Sequence, residues 1–557
     1  MNKSYTIIYS GDIADGLTRN NITNFMILNN RLAVVYEDEL FDENVMATIP
    51  QVSYYAREEE MSSLINITNR LDIGETVSEA SQINYINKNP YITSSGKGIL
   101  IAIIDSGIDY LHPDFINSDN TSKIVSIWDQ SSNKKSPPKG GIFGSEFTRE
   151  DINRAIKENN DNLTQDEVGT GTIAAGICSG KGNLNSDYSG VAVNSELVVV
   201  KLREYEDRFK VGIKNYVDTD FLAAIKYVLN VAEKENKSII INLTVGAKTS
   251  SGNLTTYLDT FTDLSTANTI LVSGAGNEGN TDIQYKGNFI NESYSDVKIQ
   301  VGEQKALDIS VLGVGPDKIG AMIISPSGEL SFRVTYAPDN YMYHGKLNLE
   351  NTTYTMRITY PYFFTGNQML RILLDNIKPG IWTLRLYPEF TISKEFHIYL
   401  PNKNLISDDT RFIDPNSFST ITKYGFGENV ITVGAYDSKT SSLWVGSSKG
   451  SREDGRQINP DIVAPGVDLI STFINKSYTT STGTGVSSSL VCGSLAIIME
   501  YVATQGAFEK SRMTTKVLKT FLMLGAEKQN IYIYPNESYG YGNLDLKSTI
   551  EAIANLL

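Results

Sequence analysis

Three stretches of the chain carry residues whose types could take part in acyl-transfer chemistry. The apolar run "IAIID" ends in Asp105, "VSGAGNEGN" places Asn277 after another apolar run, and "STGTGVSSSL" spans residues 481–490. A carboxylate can orient a general base, and an amide side chain can donate a hydrogen bond to a developing oxyanion. Taken singly, Asp105 also fits a strand-ending turn and Asn277 a turn between glycines, so the surrounding pattern has to decide.

A fourth stretch, "EVGTGTIAAG" (167–176), supplies that pattern. In chain order, the four stretches resemble the Asp, His, Asn and Ser motifs of the subtilisin-like serine protease family. The segments "PDIVAPGVDL" and "GYGNLDL" resemble two further landmarks of that family. The resemblance implies that Asp105, Thr170 and Gly485 occupy the three catalytic-triad positions and that Asn277 occupies the oxyanion-hole position.

Two of the three triad positions carry residues that cannot do the chemistry of the family. Thr170 stands where the family has its histidine, and Gly485 stands where it has the nucleophilic serine. Glycine has no oxygen to attack a carbonyl group, and threonine has no usable proton affinity near neutral pH. We therefore expect a degenerate triad and no protease activity.

Other residues offer no simple replacement for the missing groups. The chain has three histidines, of which His112 belongs to the aspartate motif and is expected to be a structural residue at the surface. His344 and His397 fall in a predicted β region. The serines at 487–489 follow position 485, but a helix turns each residue by about 100° from its neighbour, so none of them reproduces that position.

The apolar runs predict the elements that must position these residues. Runs such as "LVVVKL" and "IIINLTV" are apolar on both faces, as expected for strands of a parallel sheet covered by helices. We predict an α/β subtilisin-like fold, a parallel sheet with flanking helices, with a small α+β N-terminal domain and an inserted all-β jelly-roll domain. The predicted domains are 1–70, 71–281, 282–415 and 416–557, and the second and fourth together form one subtilase domain.

The first 70 residues have the size and mixed pattern of the prodomain that this family makes. Because release of a prodomain requires the triad, we expect this one to stay uncleaved. Its end, near Ser63 and Leu64, is predicted to lie as an added strand along the substrate-edge strand at Thr244, Val245 and Gly246.

Composition and charge exclude several classes of partner. The 557 residues carry a net charge of −15 without a basic run, which disfavours nucleic acid as a partner. We predict no cofactor, no metal and no membrane insertion, although scattered carboxylates leave calcium open. The first residues lack the apolar run of a signal peptide, so we expect the protein to be made without one. Cys178 and Cys492 are expected to be buried free thiols.

The prodomain, the core and the insert together are similar to the Csp family of clostridial spore germination proteases, including its catalytically inactive members. That resemblance implies a regulator of germination that lies in the cortex or coat region of the spore, or otherwise in the cytoplasm. The implied partners are a sibling Csp-type germination protease or pseudoprotease, whose pathway activates a cortex hydrolase, and a bile salt or another small-molecule germinant. The resemblance also implies amino acids and calcium as co-germinants.

Two other functions stay open at this point. One is a cryptic serine-type hydrolase with atypical residues, whose activity substitution of Asn277 would reduce. The other is a scaffold that binds cortex carbohydrate through aromatic residues of the insert, such as Trp382, Tyr360 and Phe363. Such aromatic residues more often belong to a core or a domain interface.

Overall fold

The structure is a computed structural model of the 557-residue chain. It describes residues 3–90, 92–206, 208–210, 214–248, 257–290, 293–336, 342–362, 365–451, 458–505 and 513–556.

The N-terminal unit is a four-stranded antiparallel sheet with two short helices. Its elements are β1 (Lys3–Tyr9), α1 (Ile13–Arg19), β2 (Phe25–Ile27), β3 (Leu32–Glu37), α2 (Asn44–Ala47) and β4 (Val52–Arg57), with strand order β2-β3-β1-β4. One face of the sheet packs on α1 and the loops around α2, and the other face joins the core of the following domain. The predicted strands "YTIIY" and "LAVVY" both lie in this sheet.

The segment after β4 leaves this unit and runs across the central domain. Its elements are β5 (Glu60–Ser63), β6 (Asn66–Ile67), β7 (Glu75–Thr76), α3 (Val77–Ala80) and α4 (Ile83–Lys88). We call residues 60–76 the crossing segment, because its three strands join two different small sheets of the central domain.

The central domain is built in two parts of the chain. The first part contains β8 (Ile99–Asp105), β9 (Ile124–Asp129), β10 (Ser145–Thr148), α5 (Arg149–Glu158), α6 (Thr170–Ser179), β11 (Glu196–Lys201), β12 (Tyr205–Glu206), β13 (Lys214–Val217), α7 (Asp218–Glu235), β14 (Ser238–Leu243), β15 (Val245–Ala247) and β16 (Thr269–Gly274).

An all-β insert separates the two parts. Its strands are β17 (Gln284–Asn288), β18 (Ser295–Val301), β19 (Ala306–Gly313), β20 (Lys318–Ile324), β21 (Met342–Leu347), β22 (Thr352–Thr359), β23 (Gln368–Asp375), β24 (Gly380–Phe390), β25 (Glu395–Tyr399) and β26 (Arg411–Phe412). They form two antiparallel sheets, β17-β25-β19-β23-β22-β21 and β20-β24-β18-β26, which share one hydrophobic core. Alternating burial along β22 and β23 follows the period of two expected for strands with one face in a core.

The second part of the central domain completes the sheet and adds its longest helix. It contains β27 (Ile431–Asp437), β28 (Ser442–Leu443), β29 (Ile462–Pro465), β30 (Leu469–Phe473), β31 (Ser477–Thr482), α8 (Thr484–Gln505), α9 (Thr515–Gly525) and α10 (Leu546–Leu556).

A nine-stranded sheet holds the central domain together. Its order is β10-β9-β11-β8-β14-β16-β27-β28, with β29 also paired to β27, and all pairs are parallel except β10–β9 and β27–β28. Every residue of β8 is buried, because helices α6 and α8 cover one face and α7 covers the other. The predicted α/β fold with a parallel sheet is confirmed.

Helix α8 is long and apolar enough, by length and composition, to cross a bilayer. However, 89% of its most apolar window is buried inside the fold, where it packs against the central sheet. Its apolar surface is therefore explained by its place in the core. In the described part of the chain, no group of three or more His, Cys, Asp or Glu side chains is arranged to hold a metal ion.

Three expectations about single residues can be compared with the structure. Cys178 and Cys492 are buried free thiols, as predicted. His112 is completely buried, so its predicted surface position was wrong. Its ring lies 5.6 Å from that of Tyr478, and its Nδ1 accepts a hydrogen bond from the backbone N–H of Asp114.

The aromatic residues considered for carbohydrate binding have different surroundings. Trp382 is 2% exposed and lies in the core between the two sheets of the insert. Tyr360 packs edge-on against Tyr336, with Lys318 nearby. Phe363 lies outside the described residues. Burial of Trp382 removes the largest of these rings from any sugar-binding surface.

Candidate functional site: a cleft occupied by the chain's own segment

The carboxyl group of Asp105 lies at the end of β8 and is completely buried. Its Oδ1 accepts hydrogen bonds from the backbone N–H of Ser106 at 2.6 Å and from the hydroxyl group of Thr170 at 2.5 Å. Its Oδ2 accepts a hydrogen bond from the hydroxyl group of Thr244. All three donors are neutral, so the environment supplies no positive charge in direct contact with the carboxylate.

Burial raises the pKa of Asp105 from 3.8 to about 6. The hydrogen bonds from Thr170, Thr244 and Ser106 oppose this rise, and the nearby negative charge of Asp166 adds to it. A cation in contact with the carboxylate would instead favour its charged form and lower its pKa. The group therefore gains its protonated form at a pH well above that of an ordinary aspartate.

Thr170 is the first residue of helix α6. The glycines on either side of it, Gly169 and Gly171, pack closely against neighbouring segments. Gly169 has φ +97°, and a Cβ atom there would lie 2.3 Å from the ring of Phe473. A Cβ atom on Gly171 would lie 2.1 Å from the carbonyl oxygen of Gly107. These contacts bring the start of α6 against the end of β8, so that the Thr170 side chain reaches Asp105.

At the start of helix α8, the backbone of Gly485 faces a carbonyl group of the crossing segment. The N–H of Gly485 donates a 3.0 Å hydrogen bond to the carbonyl oxygen of Leu64. A Cβ atom built on Gly485 would lie 3.1 Å from the carbonyl carbon of Leu64 and 2.8 Å from Cγ1 of Ile65. The Leu64–Ile65 peptide bond thus lies where a side chain at position 485 would point.

Asn277 lies beside the same carbonyl group. Its Oδ1 accepts hydrogen bonds from the backbone N–H and the hydroxyl group of Thr484, at 3.0 and 2.9 Å. These bonds turn Nδ2 the other way, and Nδ2 is buried without a hydrogen-bond partner. A Cβ atom on Gly483 would lie 2.2 Å from the Leu64 carbonyl oxygen and 3.1 Å from Nδ2 of Asn277. The amide and the carbonyl therefore lie on the same side of Gly483.

Strand pairing holds the crossing segment on one side of this bond. Strand β5 lies between β13 and β15, with Ser63 opposite Val245 and Ser62 opposite Gly246. The N–H of Leu64 donates a 2.8 Å hydrogen bond to the carbonyl oxygen of Thr244. The predicted placement of Ser63 and Leu64 along Thr244, Val245 and Gly246 is what the structure shows.

Strand pairing also holds the segment on the other side of the bond. Strand β6 pairs with β31, with Ile67 opposite Ser481 and Asn66 opposite Thr482, and β7 pairs with β30. The N–H of Thr68 donates to the carbonyl oxygen of Thr480 at 2.9 Å. These two pairings could not be predicted from the sequence, because strands β6 and β7 have only two residues each and show no detectable period.

The Leu64 side chain fills the part of the cleft next to Gly246. Leu64 and Ile65 are 3% and 4% exposed. A Cβ atom on Gly246 would lie 2.8 Å from Cδ2 of Leu64, so the absence of a side chain at 246 makes room for the leucine. Burying a leucine fully contributes about 1.5–3 kcal/mol, which adds to the backbone hydrogen bonds on both sides.

The groups weighed as substitutes for the triad lie elsewhere in the described structure. The Ser487 hydroxyl donates to the Ala464 carbonyl, and those of Ser488 and Ser489 bond to Asn242 and to the Gly485 carbonyl. All three serines are completely buried. His344 bonds to Thr355 and His397 bonds to Glu395, both within the insert.

Sequence reasoning brought Asp105, Thr170, Asn277 and Gly485 to one cleft, and the structure places them there. It missed the side-chain roles of Ser106 and Thr244. The Ser106 hydroxyl lies 3.0 Å from that of Thr170 and accepts from the N–H of Gly171. A cluster of hydroxyl-bearing residues at the ends of neighbouring strands was the available signal for this network.

The model of the subtilase family, peptidase S8, matches residues 96–316 and 404–542. The chain belongs to the subtilase family. The unmatched residues between these two ranges lie in the insert.

Individual relatives support the same fold. The solved structure of the CspB protease of Clostridium perfringens is similar to this chain with a TM-score of 0.75 and 24% identity, covering 86% of this chain and 98% of that one. Subtilisin of Bacillus sp. (strain TA39) is 25% identical over 234 residues, 41% of this chain and 47% of the relative. A C5a peptidase of Streptococcus pyogenes serotype M3 is 22% identical over 510 residues, 86% of this chain and 41% of the relative. The chain spans less than half the length of these two curated relatives.

Proposed function

We propose that this chain is a catalytically inactive subtilase, a pseudoprotease, that acts by binding. The observation that carries the proposal is the environment of the Leu64 carbonyl group. Position 485 offers this carbonyl a backbone N–H and no side-chain oxygen. The carbonyl accepts a backbone N–H as a substrate carbonyl would, and position 485 supplies no nucleophile to attack it.

The residue at the histidine position, Thr170, supports the same proposal as the missing serine at position 485. The hydroxyl group of Thr170 donates a hydrogen bond to Asp105. It is not basic enough to accept a proton from a nucleophile. In enzymes of this class, removing the nucleophile or the base costs on the order of 10⁶ in turnover, because the triad acts as a unit. Asn277 and the Gly485 N–H can polarise a carbonyl group, but polarisation without a nucleophile does not break a peptide bond.

We assign the N-terminal unit and the crossing segment as a prodomain that stays attached. A tethered segment has an effective concentration in the millimolar range, so it competes strongly with any peptide in solution. The strand pairings on both sides of Leu64–Ile65 support this assignment, because a substrate would need the same backbone groups. We also assign the inserted β-sheets to the jelly-roll class.

The regulatory part of the proposal rests on resemblance to the Csp germination proteases. In it, the chain lies in the spore, regulates a sibling Csp-type protease whose pathway activates a cortex hydrolase, and responds to a small-molecule germinant of the bile salt class. A fold that keeps its peptide-binding frame without catalysis is suited to such a role. Normal germination after deletion of the gene, with no binding to a sibling protease or a bile salt, would contradict this part.

The test of inactivity combines mass spectrometry with restoration of the triad. We expect the purified wild-type chain to keep a single intact mass. In the double variant Thr170→His, Gly485→Ser, the new hydroxyl would adjoin the Leu64 carbonyl carbon once the Ile65 side chain shifts. We expect cleavage between Leu64 and Ile65 in that variant, and in neither single variant.

Each result has a clear meaning. Peptidase activity of the wild type that scales with its concentration and falls in Asn277→Ala would refute inactivity and support the cryptic hydrolase. A double variant that stays intact would show that the cleft differs from that of an active protease at more than these two positions.

A further inference from the structure

Two acidic side chains share one lysine where the N-terminal unit joins the crossing segment. Glu59 lies between β4 and β5, and its Oε2 is 2.9 Å from Nζ of Lys423. Asp218 is the first residue of α7, and its Oδ2 is 3.8 Å from the same Nζ. We call Glu59, Asp218 and Lys423 the Lys423 cluster.

The Lys423 cluster is largely shielded from solvent. The side chains of Asp218 and Lys423 are 2% and 8% exposed, and that of Glu59 is 28% exposed. Glu59 also borders a cavity of about 100 Å³ between the N-terminal unit, the central domain and the insert. Two carboxylates and one ammonium group leave one unbalanced negative charge, which is costly in a buried place. A single proton shared by the two carboxyl groups removes that charge.

Hydrogen bonds connect the Lys423 cluster to the strands that hold the crossing segment. The N–H of Glu59 donates to Oδ1 of Asp218, and the N–H of Asp218 donates to the carbonyl oxygen of Glu59, both at 3.0 Å. Glu59 directly precedes β5, and Asp218 directly follows its partner strand β13. The N–H of Lys423 donates at 3.3 Å to the carbonyl oxygen of Lys248, which directly follows β15. The cluster therefore lies across one end of the strands β13, β5 and β15.

Two further cations face the cluster, but another carboxylate already pairs with them. The charges of Arg371 and Lys248 act on Glu59. Nε of Arg371 donates to Oδ2 of Asp308 at 2.8 Å, and Nζ of Lys248 lies 3.6 Å from Oδ1 of Asp308. The adjacent acidic residue, Glu60, also faces Arg371 and Asp308. These cations are therefore shared with other acids.

The other titratable neighbours of the cluster are paired or neutral. Arg208 faces Glu60 and Asp308, and it lies 4.0 Å from a carboxylate oxygen of Asp375. Burial raises the pKa of four neighbouring tyrosines, which therefore stay neutral near neutral pH: Tyr54, Tyr257, Tyr362 and Tyr424. The hydroxyl of Tyr424 donates a hydrogen bond to Oδ2 of Asp218 at 3.1 Å.

We propose that the Lys423 cluster is a proton-operated latch, which holds the start of β5 when its carboxyl groups share one proton and loosens when both are charged. Burial raises the pKa of Asp218 to about 6; the charge of Lys423 opposes this rise and that of Glu59 adds to it. Burial acts in the same direction on Glu59, but Lys423 and Arg371 hold its pKa below the usual value. The shared proton therefore lies mainly on Asp218. The latch does not depend on the chain being inactive.

The direction of the pH effect follows from the pKa of Asp218. A pKa of about 6 in the folded chain, above the usual 3.8, means that the closed latch binds the proton more tightly than the open one. This stabilisation is complete below about pH 4 and is lost as the pH rises through about 6. Glu59 stays charged above pH 5 and adds no change. Between pH 5 and 7.5, the equilibrium constant for local opening should rise about tenfold.

Hydrogen–deuterium exchange of the full chain, measured by mass spectrometry at pH 5 and 7.5, tests the latch. The variant Asp218→Asn cannot ionise but keeps an oxygen for the N–H of Glu59. After correction for the intrinsic effect of pH on exchange, protection of residues 58–63 should fall about tenfold more in the wild type than in this variant. An equal fall in the two proteins would overturn the proposal. A difference of the same size in β8 would also overturn it, because the whole fold would then be opening.

A second pair of variants tests the sharing of the proton. Glu59→Gln leaves one carboxylate for one lysine and should reduce the fall in protection to less than about threefold. Asp296→Asn makes a matched change at the ion pair with Arg385 in the insert and should keep the wild-type pH dependence. An unchanged pH dependence in Glu59→Gln, or its loss in Asp296→Asn, would refute the latch. If Asp218→Asn does not fold, Glu59→Gln decides by itself.

Discussion

The cleft has two ends with different surroundings, which we call the Asp105 corner, around Asp105, Thr170 and Thr244, and the Leu64 corner, around Leu64, Asn277 and Gly485. At the Asp105 corner, the hydroxyl groups of Thr170 and Thr244 donate hydrogen bonds to the two oxygens of the Asp105 carboxylate. At the Leu64 corner, the N–H of Gly485 still binds a carbonyl and Asn277 still turns its amide nitrogen away from helix α8. The comparison teaches that hydrogen bonds among neutral hydroxyl groups surround Asp105, whereas a backbone N–H contacts the Leu64 carbonyl directly.

The largest expected effect comes from breaking the Leu64 corner with Gly483→Ala. Gly483 has φ +145°, and a Cβ atom would lie 2.2 Å from the Leu64 carbonyl oxygen. Backbone strain and overpacking together should lower the free energy of unfolding by about 4 kcal/mol. Denaturant unfolding measures this loss, and limited proteolysis should show new cuts within residues 60–76.

A control separates strain from the clash. Gly98 has φ +81° with no atom within 4 Å of a Cβ position, so Gly98→Ala carries strain alone. We expect a loss of about 1 kcal/mol there and no new cuts in the crossing segment. Equal effects of the two substitutions would show that the Leu64 carbonyl is not held at Gly483.

The next effect concerns the Asp105 corner and its pH dependence. The pKa of Asp105 is about 6 in the folded chain, whereas an unperturbed aspartate has a pKa of 3.8. A raised folded-state pKa stabilises the fold fully below about pH 4, and this contribution is lost as pH rises through 6. The loss is about 3 kcal/mol. Asp105→Asn cannot ionise, so its stability relative to the wild type should rise by that amount between pH 4 and 7.

Using the difference between variant and wild type removes other groups from this test. Burial also raises the pKa of Glu60 to about 7 and that of Asp218 to about 6, and both groups titrate equally in the two proteins. Parallel stability curves for wild type and Asp105→Asn would mean that Asp105 is charged throughout, as in an active triad.

A smaller effect sharpens the role of Asn277. Asn277→Ala removes the acceptor for the N–H and the hydroxyl of Thr484. We expect a loss of about 2 kcal/mol in the free energy of unfolding. Thermal or denaturant unfolding measures it, and any peptidase activity in the preparation should stay unchanged. A fall in activity together with stability would instead assign catalysis to this corner.

The smallest effect lies behind the cleft, at Ser488. Ser488→Ala removes one hydrogen bond to Asn242, at 2.9 Å, and should cost about 1 kcal/mol. The digestion pattern of the crossing segment should be that of the wild type. Increased cutting of that segment would show that helix α8 and the cleft are more tightly coupled than the hydrogen bonds indicate.

Much of the central domain could be predicted from sequence because its signals are local. The uniformly apolar run of β8 indicates a strand buried on both faces, and the glycine-rich starts of α6 and α8 indicate close packing against it. The family motifs then assigned Thr170 and Gly485 to the histidine and serine positions of the triad. The position of Leu64 in the cleft was also predictable, because the resemblance to subtilases implies that the end of the N-terminal domain pairs with the strand at Thr244, Val245 and Gly246.

The parts that could not be predicted depend on contacts between distant segments. The donors to Asp105 come from the adjacent residue Ser106, from Thr244 at the end of β14 and from Thr170 at the start of α6, and no single motif contains all three. His112 belongs to the aspartate motif and was predicted to be a structural residue at the surface, yet β31 covers it and provides the Tyr478 ring. The cavity between the N-terminal unit, the central domain and the insert is lined by residues from seven separated stretches, none of which is unusual by itself.

The insertion of the crossing segment between β13 and β15 has a practical consequence for anyone who truncates this protein. A form that starts after residue 76 would leave both of those strands, together with β31, with unpaired N–H and C=O groups facing solvent. Exposed ladders of that kind recruit other chains. Such a fragment should aggregate on purification unless a synthetic peptide of residues 58–70 is supplied to cover the gap.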